Sequence, residues 1–336
     1  LSTLLWNFRF RAAVALVVTG TIVVLWLHFR VHHVRVVGQP AAVGYVQSGL
    51  EEPFFRWLAQ KWRLPLKIKY STADADLVAD ANRLLDLKSG AVEVVSLRFP
   101  ESVKLEPALA VVDIPGALVD LGSARAAAAG AAALVDRALM EKWNSHLLGI
   151  WPMGPQVLMC RTPAVGMAQL KGRRVRVPGD ALAHLLLSLG AIPARIPFQK
   201  VNDALDEGLV DCAISSLQSA GEAGWFRHLH HALNLPLQFG MNGYAVSKQV
   251  WEQMSSNERE RLKRAFDSHI ESLWKHAEDV YQREIRCGTK YRDIACFRGR
   301  TGIMFVHAPS PDDKANLMRH VEAIRTTRPE IRLGAE

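Results

Sequence analysis

Residues 170–216 are LKGRRVRVPGDALAHLLLSLGAIPARIPFQKVNDALDEGLVDCAISS, and they decide the fold because strand and helix patterns alternate along them. Near the start, Val175 and Val177 alternate with arginines, which is the period-two pattern of a strand with unlike faces. We predict strands at 173–177, 194–198 and 210–215, separated by helices at 181–189 and 201–209. Two successive strand–helix–strand units imply right-handed crossovers and therefore a parallel sheet.

The carboxyl ends of parallel strands are where such a sheet binds its ligand. Pro178 and Gly179 end the first strand, and Asp180 is a favourable N-cap for the next helix. Arg176 stands at this edge, where its planar guanidinium could hold a carboxylate by two parallel hydrogen bonds. The alternative is a strand arginine that forms an ion pair with an acid on a neighbouring element.

Three segments, LKGRRVRVPGD, GAIPARIPFQKVNDAL and EGLVDCAISSLQS, resemble in order and spacing the second lobe of the DctP-type solute receptors of TRAP transporters. A weaker resemblance extends over 34–323 and includes PALAVVDIP at 107–115. It implies an α/β, two-lobed periplasmic-binding-protein fold (type II-like) with a cleft between the lobes. The implied parts are lobe I at 34–153, lobe II at 154–244, and C-terminal helices at 245–336 that span both lobes and partly return to lobe I.

The resemblance also implies a ligand site in the cleft. Arg176 matches the family's carboxylate-binding arginine, and Phe198 matches an aromatic position beneath the ligand. Gln156 stands where many relatives have an arginine. Ser215 and Ser216 replace a Glu-Asn pair, so two hydroxyl groups take the place of an amide. We predict Arg176, Phe198, Gln156 and Ser215 as ligand contacts.

Two further candidate contacts are expected in lobe I. Arg98 follows a predicted strand at 92–97, in a region where relatives often have an acid. Both a ligand contact and a solvated edge residue remain open for it. If Arg98 faces the cleft, the ligand would carry more than one negative group. Gln39 follows a predicted strand at 34–37 and is the sixth candidate, with an ordinary polar position as the alternative.

The chain has 336 residues, of which 49% are hydrophobic and 22% charged, as in an ordinary globular protein with a sizeable core. Its net charge of +8 is partly local, because residues 1–35 contain four arginines and no acid, which leaves +4 for the remainder. No long Lys/Arg run follows, so we do not expect a nucleic-acid partner. An Ala-rich segment at 124–133 predicts a plain surface helix.

Residues 12–29, AAVALVVTGTIVVLWLHF, carry no formal charge between Arg11 and Arg30. A helix of this length spans roughly 27 Å, which is just enough for a bilayer core. No small-residue cleavage site follows the apolar run, so we predict an uncleaved signal anchor at 1–33 rather than a removed signal peptide. The remainder of the chain would then be periplasmic and held at the inner membrane.

The cysteines Cys160, Cys212, Cys287 and Cys296 have no zinc-ligand spacing. In an oxidising compartment, a loop-closing disulfide between Cys287 and Cys296 is as plausible as two free thiols. His228 and His231 would share a helix face, but no carboxylate or cysteine nearby completes a metal site.

No motif of an enzyme is present: the sequence has no G-x-S-x-G, phosphate-binding loop or dinucleotide fingerprint. We therefore predict no catalytic residue and no cofactor. The predicted function is an extracytoplasmic solute-binding protein that captures a small organic anion, in particular a carboxylate, and delivers it to the membrane subunits of a TRAP-type transporter. The alternative is a membrane-anchored ligand-sensing domain of the same fold.

Overall fold

The computed structural model describes residues 31–73, 82–163, 166–289 and 302–327. The strands are β1 His32–Val37, β2 Leu66–Ser71, β3 Val94–Arg98, β4 Ser145–Pro152, β5 Val157–Cys160, β6 Arg174–Val177, β7 Ile192–Arg195, β8 Cys212–Ser215, β9 His231–Leu233, β10 Met241–Ser247 and β11 Phe305–His307. The α-helices are α1 Glu52–Lys61, α2 Arg83–Ser89, α3 Phe99–Ser102, α4 Leu121–Trp143, α5 Asp180–Ser188, α6 Val201–Asp206, α7 Leu217–Glu222, α8 Lys248–Gln253, α9 Ser256–Thr289 and α10 Pro311–Thr327.

The first sheet has the strand order β2-β1-β3-β10-β4. β1 lies parallel to β2 and β3, whereas β10 runs antiparallel to β3 and β4. Val34 and Val36 of β1 are buried while Arg35 is exposed, as the alternating sequence requires. The buried face packs on Phe55 of α1 and Phe266 of α9. We call this sheet and its helices the first lobe.

The second sheet has the strand order β11-β9-β5-β8-β6-β7, and β6 lies parallel to both β7 and β8. The parallel arrangement predicted from residues 170–216 is therefore confirmed. Val175 and Val177 are fully buried and pack with Leu182 and Leu186 of α5. We call this sheet and its helices the second lobe.

Several element boundaries in this stretch differ from the prediction, and β8 begins at Cys212 instead of 210. β7 covers Ile192–Arg195 instead of 194–198, because Pro197 precedes a 3₁₀ turn at Phe198–Lys200. Pro193 is tolerated inside β7 because β7 is an edge strand. α6 ends at Asp206 instead of 209, since Gly208 takes a left-handed conformation with φ +65°.

The N-cap of α5 also differs from the prediction. The N-cap is Gly179, and Asp180 is the first residue of the helix, where its carboxylate pairs with Arg195. A carboxylate in the first turn still favours the helix through the helix dipole. The predicted helix start was wrong by one position.

The chain passes between the lobes after β4 and again before β10. There Gln156 and Gln238 form an antiparallel bridge, so the two connections run side by side. α9 has 34 residues and packs against both β4 of the first lobe and β11 of the second. The domain boundaries predicted at 33/34, 153/154 and 244/245 stay predictions.

The Ala-rich segment at 124–133 belongs to α4, which begins with a capping box between Asp120 and Ser123. The prediction of a plain surface helix was wrong, because Ala124, Ala128 and Ala131 are buried in the core of the first lobe. Their spacing of four and three residues puts them on one helix face. Small side chains there allow the helix to approach the sheet closely.

A disulfide links Cys160 of β5 and Cys212 of β8, which are register partners in the second sheet. This pair was not predicted from the sequence. Cys287 is also disulfide-bonded. Cys296 lies outside the described residues, so the pairing of Cys287 with Cys296 stays a prediction.

The membrane anchor predicted at 12–29 also lies outside the described residues. Among the helices that the structure does describe, none is both long enough and apolar enough to cross a membrane.

Candidate functional site

A cavity of about 40 Å³ lies between the two lobes, at the carboxyl ends of β3, β6 and β8. Five of the six predicted contacts line it, and they come from both lobes. These are Arg98, Gln156, Arg176, Phe198 and Ser215.

Arg176 is 2% exposed, yet no carboxylate forms an ion pair with it in the part of the chain that the structure describes. Its Nε donates to the carbonyl oxygen of Ile196 at 2.9 Å and its Nη1 to that of Ile214 at 3.0 Å. Burial lowers the pKa of Arg176 to about 9, which leaves the side chain protonated at neutral pH. The groups hydrogen-bonded to the buried positive charge are therefore neutral, while the nearby Glu101 raises the pKa of Arg176 and Arg98 lowers it.

Two aromatic rings support the Arg176 guanidinium. Its Cζ lies 5.5 Å from the ring centroid of Trp225 and 5.9 Å from that of Phe198. Both distances are within the range of cation–π attraction. Together with the two carbonyl oxygens, the rings fix the side chain in one position and leave Nη2 without a hydrogen bond to any described residue.

Arg98 lies on the opposite wall of the cavity, at the end of β3. Its Nη2 pairs with Oε1 of Glu101 on α3 at 2.5 Å, and the two side chains are 12% and 18% exposed. Glu101 also lines the cavity, although the sequence analysis did not select it. The charge of Arg98 is therefore matched by a protein carboxylate, unlike that of Arg176.

Gln39 does not line the cavity but lies directly behind its wall. It is fully buried, and its Nε2 donates to Oγ of Ser96 at 2.9 Å and to Oδ1 of Asn242 at 3.3 Å. Asn242 does line the cavity. The structure therefore connects Gln39 to the site through Asn242.

The buried carboxylate of Glu51 holds Gln39 in place. It accepts hydrogen bonds from the backbone N–H of Gln39 at 2.6 Å and from the hydroxyl groups of Tyr70 and Tyr244. Burial raises the pKa of Glu51, and these donors oppose the rise. Glu51 thus fixes the end of β1 beneath the cavity.

The connection that enters β10 is fixed by another buried carboxylate, Asp113, which lies in the segment PALAVVDIP. Asp113 accepts hydrogen bonds from the backbone N–H groups of Phe239, Gly240 and Met241. Burial raises the pKa of Asp113 to about 6. The segment thereby positions Gly240, which lines the cavity. No residue of the segment itself, all of which the structure describes, lines the cavity.

Asn242 and Gln238 are lining residues that the sequence analysis missed. Both are buried, and Asn242 is a register partner of Arg98 between β10 and β3. One signal could have found Asn242. It is an amide in the strand MNGYAVS, whose residues are all buried, and a buried polar group needs a partner.

The lobes touch on two sides of the cavity. The backbone N–H of Tyr45 in the first lobe donates to Oε2 of Glu222 in the second at 3.0 Å. On the other side, Gly179 packs so closely that a Cβ there would lie 2.7 Å from the carbonyl oxygen of Pro100. The two lobes are therefore in direct contact across the cleft in this structure.

A larger cavity of about 720 Å³ lies elsewhere, bordered by α9, α10 and the segment before α4. Its charged lining residues are Asp120, Glu278 and Lys314, and most of the other lining residues are apolar. Two acids and one base do not favour an anion. We take the smaller cavity as the candidate site because it contains the buried arginine.

The two histidines considered for a metal are not on a common helix. His228 follows a 3₁₀ turn and His231 begins β9, where its Nδ1 lies 3.0 Å from Nε2 of His307. Among the described residues, no three histidine, cysteine or acidic side chains are grouped as metal ligands.

The sequence profile of the bacterial extracellular solute-binding proteins, family 7 (DctP), matches residues 58–288. This match covers more than half of the chain, including β3 to β10 and every described residue that lines the cavity except Val43. The chain belongs to the DctP family. The resemblance stated from the sequence is thereby confirmed, and the family is one of solute-binding proteins.

Solved structures of DctP-type receptors have the same fold. An extracytoplasmic solute receptor of Bordetella pertussis that binds pyroglutamic acid superposes with a TM-score of 0.77 at 15% identity, over 89% of this chain and 95% of the other. A TRAP periplasmic solute-binding protein of Desulfovibrio desulfuricans with bound sn-glycerol-3-phosphate superposes with a TM-score of 0.77 at 16% identity, over 90% of this chain and 95% of the other. A TRAP periplasmic solute-binding protein of Shewanella oneidensis with bound succinate superposes with a TM-score of 0.71 at 16% identity, over 89% of this chain and 94% of the other.

A solute-binding protein of Sulfitobacter sp. strain NAS-14.1 is 25% identical over 140 residues. The match spans 41% of this chain and 42% of that relative, so the chain matches less than half of its length.

Proposed function

We propose that this DctP-family protein is the extracytoplasmic receptor of a TRAP-type secondary transporter and captures a small organic anion through a carboxylate group. The observation that carries the proposal is the buried Arg176 charge, which forms no ion pair with an acidic side chain among the described residues and borders the cavity between the lobes. An unpaired buried ion costs several kcal/mol, so an anionic ligand would supply the missing partner.

The hydrogen bonds of Arg176 leave donors for this ligand. Nε and one hydrogen of Nη1 are used by the carbonyl oxygens of Ile196 and Ile214. A guanidinium has five N–H donors, so Nη2 and the second hydrogen of Nη1 are available to a carboxylate. Gln156 and Ser215 lie on the same cavity and would contact the remaining polar groups of the ligand.

Several structural relatives bind carboxylates, although the receptor from Desulfovibrio desulfuricans holds sn-glycerol-3-phosphate. The receptors from Bordetella pertussis and Shewanella oneidensis bind pyroglutamic acid and succinate, and a receptor from Pseudomonas aeruginosa holds L-malate. We propose the same chemical class for this protein. Closure of the lobes would remove water from the ligand and strengthen its attraction to Arg176.

The proposed location is the periplasm, with delivery of the anion to membrane subunits of the transporter. The disulfide between Cys160 and Cys212 supports an oxidising compartment. The anchor proposed at 12–29, which would hold the protein at the inner membrane, rests on the sequence alone.

A thermal-shift screen of the purified protein with small carboxylates tests this function. A ligand present at about 100 times its dissociation constant adds about 2.7 kcal/mol to the free energy of unfolding, so the melting temperature should rise clearly. The matched set contains the corresponding amides or alcohols, which lack the charge and should give no shift. No shift with any carboxylate would contradict the proposal.

The contact between Tyr45 and Glu222 gives a prediction about closure. Glu222→Ala removes an acceptor that joins the two lobes, so the closed form should lose about 1 kcal/mol and the ligand should bind about fivefold more weakly. Calorimetric titration measures this change. The control is Glu207→Ala, an exposed glutamate of the second lobe, which should bind as the wild type does. If Glu222→Ala and Glu207→Ala bind the ligand with equal affinity, the contact between Tyr45 and Glu222 does not contribute to closure of the lobes.

A further inference from the structure

Arg98, Arg176 and Glu101 are the charged residues found among the described residues that line the cavity. Arg98 and Glu101 form an ion pair at 2.5 Å, with both side chains largely buried. Their charges cancel, so only the charge of Arg176 remains for a ligand. This pairing argues against a ligand with more than one negative group, and the expectation drawn from Arg98 in the sequence stays a prediction.

The small volume of the cavity makes this balance of charges important. With about 40 Å³ between the lobes, a second carboxylate on the ligand could not keep its shell of water. It would need a cationic partner inside the cavity, and Arg98 is already engaged by Glu101. The same glutamate would repel a second negative charge brought next to Arg98.

We infer that Glu101 determines specificity at this site and makes the protein select monoanions over dianions of the same shape. This inference rests on the proposed function. Glu101 neutralises the charge of Arg98, so one ligand carboxylate bound to Arg176 brings the net charge of the cavity to zero. A neutral second group, such as an amide or a hydroxyl, is accommodated by the polar wall of Gln238, Asn242 and Ser219.

Glu101→Gln is the variant that tests the inference. It keeps the shape and hydrogen-bonding capacity of the side chain but leaves Arg98 without its counter-ion. A dianion can then satisfy both arginines. We expect the ratio of dianion to monoanion affinity to rise by about tenfold or more.

A double variant provides an internal check. Glu101→Gln combined with Arg98→Gln removes both members of the pair, and Arg176 is again the one cationic lining residue found among those described. The preference of the double variant for monoanions over dianions should therefore return to that of the wild type. A purely structural effect of Glu101 on α3 would not be reversed by removing Arg98.

The experiment is calorimetric titration at about pH 8, where carboxyl groups are ionised. The ligands are isosteric pairs that differ by one charge, malonate with malonamate and succinate with succinamate, together with lactate and pyroglutamate. The matched control is Glu271→Gln, which removes an equal charge from an exposed ion pair with Arg125 on the surface. It should not alter the preference.

The inference predicts that the tightest ligand of the wild type is a monoanion and that only Glu101→Gln shifts the preference towards dianions. A dianion as the tightest wild-type ligand, or an equal ratio in Glu101→Gln and Glu271→Gln, would overturn the inference while the proposed function stands. Binding of no anion by the wild type would overturn the proposed function and this inference with it.

Discussion

Replacing Arg176 by alanine should weaken binding of the anion by about 2–5 kcal/mol, because the ligand carboxylate would lose its buried cationic partner. Such a loss turns a micromolar ligand into one that calorimetry hardly detects. Arg176→Lys keeps the charge but has no planar fork. A lysine cannot satisfy the carbonyl oxygens of Ile196 and Ile214 while it also binds a carboxylate by two parallel bonds, so an intermediate loss is expected.

Arg174→Ala is the matched control for this prediction. Arg174 lies two residues earlier on β6, but its side chain is 45% exposed and pairs with Asp211. Removing it changes the net charge by the same amount and should leave binding unchanged. Circular dichroism and thermal unfolding check that each variant is folded. A folded Arg176→Ala variant with wild-type affinity would remove Arg176 from the site.

Removing the disulfide between Cys160 and Cys212 should have the largest effect on stability. The bond closes a loop with a sequence separation of 52 residues, and loss of such a constraint costs about 4 kcal/mol in the unfolded-chain entropy model. The double variant Cys160→Ala, Cys212→Ala should therefore unfold at a melting temperature lower by on the order of 10 °C.

Guanidinium unfolding of the wild type and the double variant measures this difference. Ligand binding at room temperature serves as the control, because Cys212 begins β8 whereas the cavity lies at its other end, at Ser215. The variant should bind the anion with nearly wild-type affinity. An unchanged midpoint of unfolding would show that the disulfide does not stabilise the second lobe.

Local patterns in the sequence predicted the parallel part of the second sheet correctly. The alternation around Val175 and the apolar helix after Pro178 depend on neighbouring residues, so they are visible without the structure. The burial of Ala124 and Ala128 in α4 was missed for a different reason. Alanine is common both on protein surfaces and in protein cores. In this helix, the i, i+4, i+7 spacing of the buried alanines is the feature that distinguishes a buried face from an exposed one.

Contacts between distant segments could not be predicted in the same way. Cys160 and Cys212 meet because β5 and β8 are neighbours in the sheet, an order that the sequence does not give directly. Arg98 was selected from its position after a strand, whereas its partner Glu101 stands only three residues later and was overlooked although the contact is local. Gln39 was selected by the same argument, yet Asn242 stands between it and the cavity.

The most direct test of the central claim is a crystal structure of the protein with the tightest carboxylate from the screen. We expect the ligand between the lobes, with its carboxylate oxygens about 2.7–2.9 Å from the Nη atoms of Arg176. A ligand in the 720 Å³ cavity bordered by Glu278 and Lys314, or a carboxylate away from Arg176, would contradict it.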